Sequence, residues 1–255
     1  MLIDSHAHLD AEGFQSDLPE VLKRASEAGV KKIIAIGSGS GGFLSAINAV
    51  ALSKTYPGVF PTVGVHPSDS KTPLDPAYLE KLASDRSVVA IGETGIDLYW
   101  KEISLEEQIP WFEAQIEIAQ RLKKPLIIHA RASTNECLQT LKKYHAEDIG
   151  GVFHCYTDSP DFIQEILDIN FHLSFTGIVT FKKSLDVQES ARRVPLDRLL
   201  VETDAPFLAP EPFRGKRCES AQVVHTAKRI AEIKGVSFEE LCEKTTANAE
   251  RLFSL

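Results

Sequence analysis

Cysteine is scarce and scattered. The 255 residues include only Cys137, Cys155, Cys218 and Cys242, with no C-x-x-C pair. That excludes a disulfide framework and a cysteine zinc knot, and it reads as reduced thiols. No apolar run reaches the length that spans a bilayer, so no membrane association is expected. The N-terminus has no basic segment followed by an apolar stretch, so a secretion signal is not expected and a cytoplasmic protein is. Basic excess is missing too. A net charge of −8 argues against a broad nucleic-acid-coating surface. It leaves room for a local site, because a bound metal and a few basic residues can reverse the field at one mouth. No G-x-G-x-x-G follows the first strand-like run, and "GSGSGG" (37–42) lacks the Lys-Ser/Thr of a P-loop. It reads as a strand-to-helix turn, and no organic cofactor is expected. No linker, repeat or low-complexity tract divides the chain, so residues 1–255 are expected to form one domain.

What is present is an ordinary globular composition, 43% hydrophobic and 25% charged. Eight short β-rich runs alternate with helical patterns. They are "LIDSH" (2–6), "KIIAIG" (32–37), "VFPTVGVH" (59–66), "VVAIGE" (88–93), "PLIIHA" (125–130), "GVFHC" (151–155), "FHLSF" (171–175) and "LLVETD" (199–204). They are apolar on both parities, as parallel strands covered by helices are. Between them, "DLPEVLKRASEAG" offers Asp17 as a cap and Gly29 as a stop. A longer segment carries Ser104 and Glu107 as a capping box, with an apolar stripe of Ile109, Phe112, Ile116, Ala119 and Leu122. Eight such units predict an α/β fold, a TIM (β/α)8 barrel with C-terminal closing helices. A doubly wound open sheet is the runner-up.

Five histidines fall at or just past strand ends: His6 and His8, His66, His129 and His154. Glu93 and Asp204 end two further strands. Residues i and i+2 of an extended chain share a face, so His6 and His8 aim at one spot. In a parallel barrel all these ends meet at one mouth. Several imidazoles and two carboxylates gathered there would repel and desolvate one another without a cation. Mixed nitrogen and oxygen donors suit Zn²⁺ or Mn²⁺, and an all-oxygen shell would suit Mg²⁺ better. Six ligands exceed what one catalytic zinc takes. Two divalent ions are therefore expected, with Glu93 bridging, His6, His8 and Asp204 completing one site, and His129 and His154 the other.

The segments "DSHAHLD", "GVHP", "GETGIDLYW", "PLIIHAR", "FHCYTDS", "FTGIVTFK" and "VETDAPFLAP…RGKR" occur in order over nearly the whole chain. Together they resemble the TatD-type metal-dependent deoxyribonucleases of the amidohydrolase superfamily. The resemblance implies a divalent-metal TIM barrel that hydrolyses DNA phosphodiester bonds, commonly as a 3′–5′ exonuclease. It implies metal ligands at His6, His8, Glu93, His129, His154 and Asp204, and phosphate contacts from His66 and Arg131. Asp158, Cys218 and Ser220 depart from the family pattern and bear on substrate preference more than on chemistry.

The expected mechanism is a metal-activated water, with Asp204 as general base. DNA is the expected partner, as single strands or 3′ ends. Lys182, Lys183, Arg214, Lys216 and Arg217 fall in loops on the expected mouth side, where they could follow a DNA backbone or form a solvated charge run. Tyr99 and Trp100 could stack a terminal base or shield the barrel top. The alternatives are a small-molecule amidohydrolase (lactonase or deacylase) using the same metals, and a non-catalytic metal-stabilised barrel.

Overall fold

The structure is a computed structural model that describes residues 1–39 and 42–255. The expected turn at 37–42 falls partly on Ser40 and Gly41, which lie outside the described residues. Strands and helices alternate as β1 (Leu2–Ala7), α1 (Leu18–Glu27), β2 (Val30–Ala35), α2 (Phe43–Thr55), β3 (Val59–Val63) and α3 (Pro76–Ala83). There follow β4 (Ala90–Asp97), α4 (Leu105–Leu122), β5 (Leu126–Arg131), α5 (Thr134–Lys143), β6 (Gly151–Phe153) and α6 (Ile163–Asp168). The series ends with β7 (Phe171–Phe175), α7 (Leu185–Arg193), β8 (Leu199–Val201), α8 (Val223–Lys234) and α9 (Phe238–Phe253). The eight strands lie in chain order in one sheet. A parallel bridge between Ala7 and Ala205 ties the loop after β8 back to β1. This is the (β/α)8 barrel, not the open sheet. Among the described residues no helix is long and apolar enough to cross a membrane.

The chain falls into two compact units. The terminal unit comprises Met1–Ala35, Cys155–Ile163 and Leu173–Leu255, and the central unit Ile36–His154 and Gln164–His172. In the terminal unit, Ile3, Phe14, Phe175, Leu199, Ile230 and Leu241 are buried. In the central unit, Ile91, Phe112, Ile116, Phe153 and the run Leu126–Ile128 are buried. Consecutive buried residues along β5 are the mark of a strand covered on both faces.

Side-chain caps start α3, α4 and α9. Ser104 and Glu107 form the expected capping box on α4. Ser237 accepts the Glu240 N–H at 3.0 Å and starts α9, which is a single closing helix after α8. Asp17 precedes α1 but makes no side-chain cap bond. Its carboxylate is taken instead by Arg217 (2.7 Å) and Arg24 (3.3 Å). The buried face of α4 also differs from the predicted stripe. Ile109 and Leu122 are only half-buried, while Gln108 and Gln115 are buried. These amides find partners on the loop after β3 and on β4, so their burial leaves no orphaned polar atom.

Candidate metal centre

In the terminal unit, the end of β1 and the loop after β8 are locked by main-chain bonds. Asp204 N–H donates to His6 O (2.9 Å), and His8 N–H to Ala205 O (2.7 Å). Beneath them Asp4, fully buried, accepts Thr203 N–H (2.9 Å) and Thr203 Oγ1–H (2.7 Å). Burial pushes the Asp4 carboxyl up to about 7 against those bonds. Asp204 itself has φ of +58°, a left-handed conformation that aspartate tolerates better than most residues.

These ties bring three donor atoms into a triangle. His6 Nε2 lies 3.3 Å from His8 Nε2. Asp204 Oδ1 lies 3.5 Å from His6 Nε2 and 3.4 Å from His8 Nε2. Ligand atoms set tetrahedrally at zinc-like distances stand about 3.3–3.4 Å apart. The donor set and its spacing fit a divalent cation.

In the central unit Glu93 sits inside β4, not at its end as the sequence suggests, because the strand continues to Asp97. Gly92 and Gly95 flank it at φ of +148° and +137°. A Cβ at Gly95 would overlap the His129 carbonyl oxygen, so glycine lets β4 press against β5 there. Glu93 Oε1 faces His154 Nε2 at 2.7 Å, His129 Nδ1 at 2.8 Å and His66 Nε2 at 3.5 Å. His66 Nε2 is 3.2 Å from His129 Nδ1. Burial alone would raise the Glu93 carboxyl, but the surrounding His154, His66 and His129 imidazoles hold it well below the usual carboxylate range. His66, Glu93 and His129 each turn a donor atom to one spot and can hold a metal ion. Imidazole with carboxylate is again a divalent-cation set.

Other residues, not evident from the sequence motifs, support this cluster. Asp97 Oδ2 lies 3.0 Å from His129 Nε2, while its Oδ1 accepts the N–H groups of Tyr99 (2.9 Å) and Trp100 (3.2 Å). Burial opposes the imidazolium of His129, yet the Asp97 and Glu93 carboxylates outweigh it and raise its pKa. With Nε2 engaged by Asp97, Nδ1 is the nitrogen turned to Glu93, the carboxylate–histidine arrangement common behind metal ligands. Gln108 brackets Asp97, accepting its N–H (2.8 Å) and donating to its carbonyl (2.9 Å). Gln115 accepts Val65 N–H (2.8 Å) and donates to Thr94 Oγ1 (2.6 Å).

Arg131 at the end of β5 is exposed, its guanidinium 3.9 Å from the Tyr99 ring centroid. Arg217 departs from the expected strand-tracking role. Its fork is filled by Asp17, Glu219 and Gly13 O, which leaves little charge for a phosphate. Arg214 packs over the Phe181 ring, 4.3 Å from its centroid.

Comparison with known proteins agrees with this chemistry. The sequence pattern described as "TatD related DNase" matches residues 3–254. The chain is 41% identical over 257 residues to an uncharacterised metal-dependent hydrolase of Bacillus subtilis, YabD, covering 100% of both chains. It is 40% identical to its Escherichia coli counterpart YcfH, covering 100% of this chain and 96% of that one. The crystal structure of YJJV, a TatD homologue from Escherichia coli, superposes with a TM-score of 0.93 at 26% identity, covering 100% of this chain and 98% of that one. The chain belongs to the TatD-related family of metal-dependent hydrolases.

Proposed function

We propose that this hydrolase cleaves DNA phosphodiester bonds with two divalent ions, acting from the 3′ end of single strands as a 3′–5′ exonuclease. The observation that carries the metal chemistry is the His6–His8–Asp204 triangle, with edges of 3.3, 3.4 and 3.5 Å. DNA as substrate is supported by the family pattern. In this reading His6, His8 and Asp204 hold one ion, and Glu93, His129 and His154 contribute to holding the other. Such ions, when bound, make water acidic near neutral pH and polarise phosphoryl oxygens.

The chain's own groups do the rest. Asp204 takes the proton of the attacking water. His66 accepts Ser68 N–H at Nδ1 (3.0 Å); in this reading it holds no ion, and its Nε2 proton is offered to a phosphate oxygen instead. Arg131 offers a second, permanently charged donor to the phosphate. The test is metal-depleted protein with end-labelled single-stranded and duplex DNA, with Mg²⁺, Mn²⁺ or Zn²⁺ restored separately. The expected result is a ladder shortening from the 3′ end, with two ions per chain by elemental analysis. No product with any ion, alongside turnover of small lactones or amides, would overturn the nuclease reading.

A further inference from the structure

Beside the central unit's donor cluster lies a cavity of about 290 Å³, lined by Pro67, Ser68, Asp97, Trp100, Ile103 and Gln108 among others. Two of its walls touch that cluster. Ser68 Oγ is 2.7 Å from His66 Nδ1, and Asp97 Oδ2 is 3.0 Å from His129 Nε2. Its aromatic wall, Trp100, is 57% exposed, and the adjoining Tyr99, outside the lining, is 55% exposed, together a large apolar area to leave in water. Their rings stand edge to face at 5.0 Å, and the Arg131 guanidinium lies 3.9 Å from one centroid and 5.6 Å from the other. Asp97 fixes the turn that carries both rings by accepting the main-chain N–H groups of Tyr99 and Trp100.

We propose that this cavity is a subsite for one unpaired nucleobase, that of the nucleotide next to the scissile phosphate, with its face on the Trp100 indole. This deepens the phosphodiesterase reading and rests on it. An indole face beside a cation suits a base with its phosphate attached. The volume is near the lower limit of small-molecule pockets and has room for one base ring system. Apart from Glu102, which is exposed at the rim, the polar lining is already engaged. Gln108 spends its amide on Asp97 and Ile103, Asp97 its oxygens on His129 and the turn, and Ser68 bonds His66. With few donors left to read a base edge, the subsite takes any base by its flat face.

The chain has two tryptophans, and Trp111 is only 2% exposed, so a ligand-induced change in indole emission reports on Trp100. Metal-depleted protein is titrated with a short thymidine oligonucleotide and with its counterpart lacking the 3′-terminal base. Quenching is expected with the first alone, and binding roughly tenfold tighter than the second, the scale of one base–aromatic stack. Trp100→Ala should erase that preference, and Trp100→Phe should keep most of it. Equal binding of the two oligonucleotides by the unaltered protein, or no binding of either, would overturn the subsite. So would a Trp100→Ala protein that keeps the preference. Because this assay needs no turnover, loss of the base preference with DNA cleavage intact would sink only the subsite. Absence of cleavage with the preference intact would sink only the nuclease reading.

Discussion

The two donor clusters are built by different means. His6, His8 and Asp204 are held by main-chain bonds between the end of β1 and the loop after β8, over the Asp4–Thr203 pair. Glu93, His66 and His129 are held by side chains from elsewhere: Asp97 behind His129, Ser68 behind His66, and Gln115 and Gln108 from α4 fixing the neighbouring backbone. A cluster held mainly through the backbone tolerates most change around it, the buried Asp4 carboxyl under Thr203 excepted. A cluster held by side chains can be damaged one or two contacts away.

The largest effects should erase the contrast. Asp204→Ala and His129→Ala each remove a proposed ligand, and both should abolish hydrolysis while far-UV circular dichroism stays near that of the unaltered protein. Full activity in either variant would reject the metal-hydrolase mechanism. The next effect separates the clusters. Asp97→Asn keeps an oxygen for the Tyr99 and Trp100 N–H groups but presents an amide N–H to His129 Nε2. That drives the imidazole proton to Nδ1, the nitrogen turned to Glu93. Metal affinity measured by competition with a chelator should fall about 10–100-fold, the usual cost of losing such a partner. The melting temperature should hardly move; a large drop with unchanged metal affinity would make Asp97 a purely structural residue.

This contrast also explains what could be read from the sequence. His6 and His8 stand two apart on one strand and Asp204 follows an apolar run, so the pattern points to them once a parallel barrel gathers the strand ends at one mouth. The barrel is legible because apolar strand runs alternate with helical patterns eight times. Asp97 is harder to see: it lies four residues past Glu93, and nothing local tells that β4 continues to reach it. Gln108 and Gln115 are harder still, because two polar residues on a buried helix face contradict the apolar stripe. Only their partners on β4 and the loop after β3 make sense of them. Arg217 misleads in the opposite direction: of its two neutralising acids Glu219 is close by in sequence, but Asp17 is 200 positions away.

Smaller effects measure the side-chain scaffold itself. Gln115→Leu leaves the buried Val65 N–H and Thr94 hydroxyl without this partner. Unfolding free energy in urea should fall by about 1–3 kcal/mol, the cost of such unpaired groups. A neutral result would mean that the loop after β3 is fixed by packing alone, and the contrast between the clusters would weaken.

Asp69 sets the lower limit, because it shares the central unit yet serves neither role. Three residues beyond His66, its buried Oδ2 has no hydrogen-bond partner among the described residues, and burial pushes its carboxyl up to about 6. Below about pH 4 both folded and unfolded chains carry the proton and the site costs nothing. Between pH 4 and 6 the unfolded chain ionises first, so the folded state loses stability, and above pH 6 the cost is constant. Asp69→Asn should therefore stabilise the protein by an amount that grows across that window and then levels. The whole shift converts to ~3 kcal/mol, but the carboxylate is partly open to water and a gain of about 1 kcal/mol is expected. Urea titrations at pH 4, 6 and 8 check it. A gain already complete at pH 4 would show that the carboxylate's charge is not the cause. A loss at pH 8 would show that Asp69 has a stabilising partner in the folded protein after all.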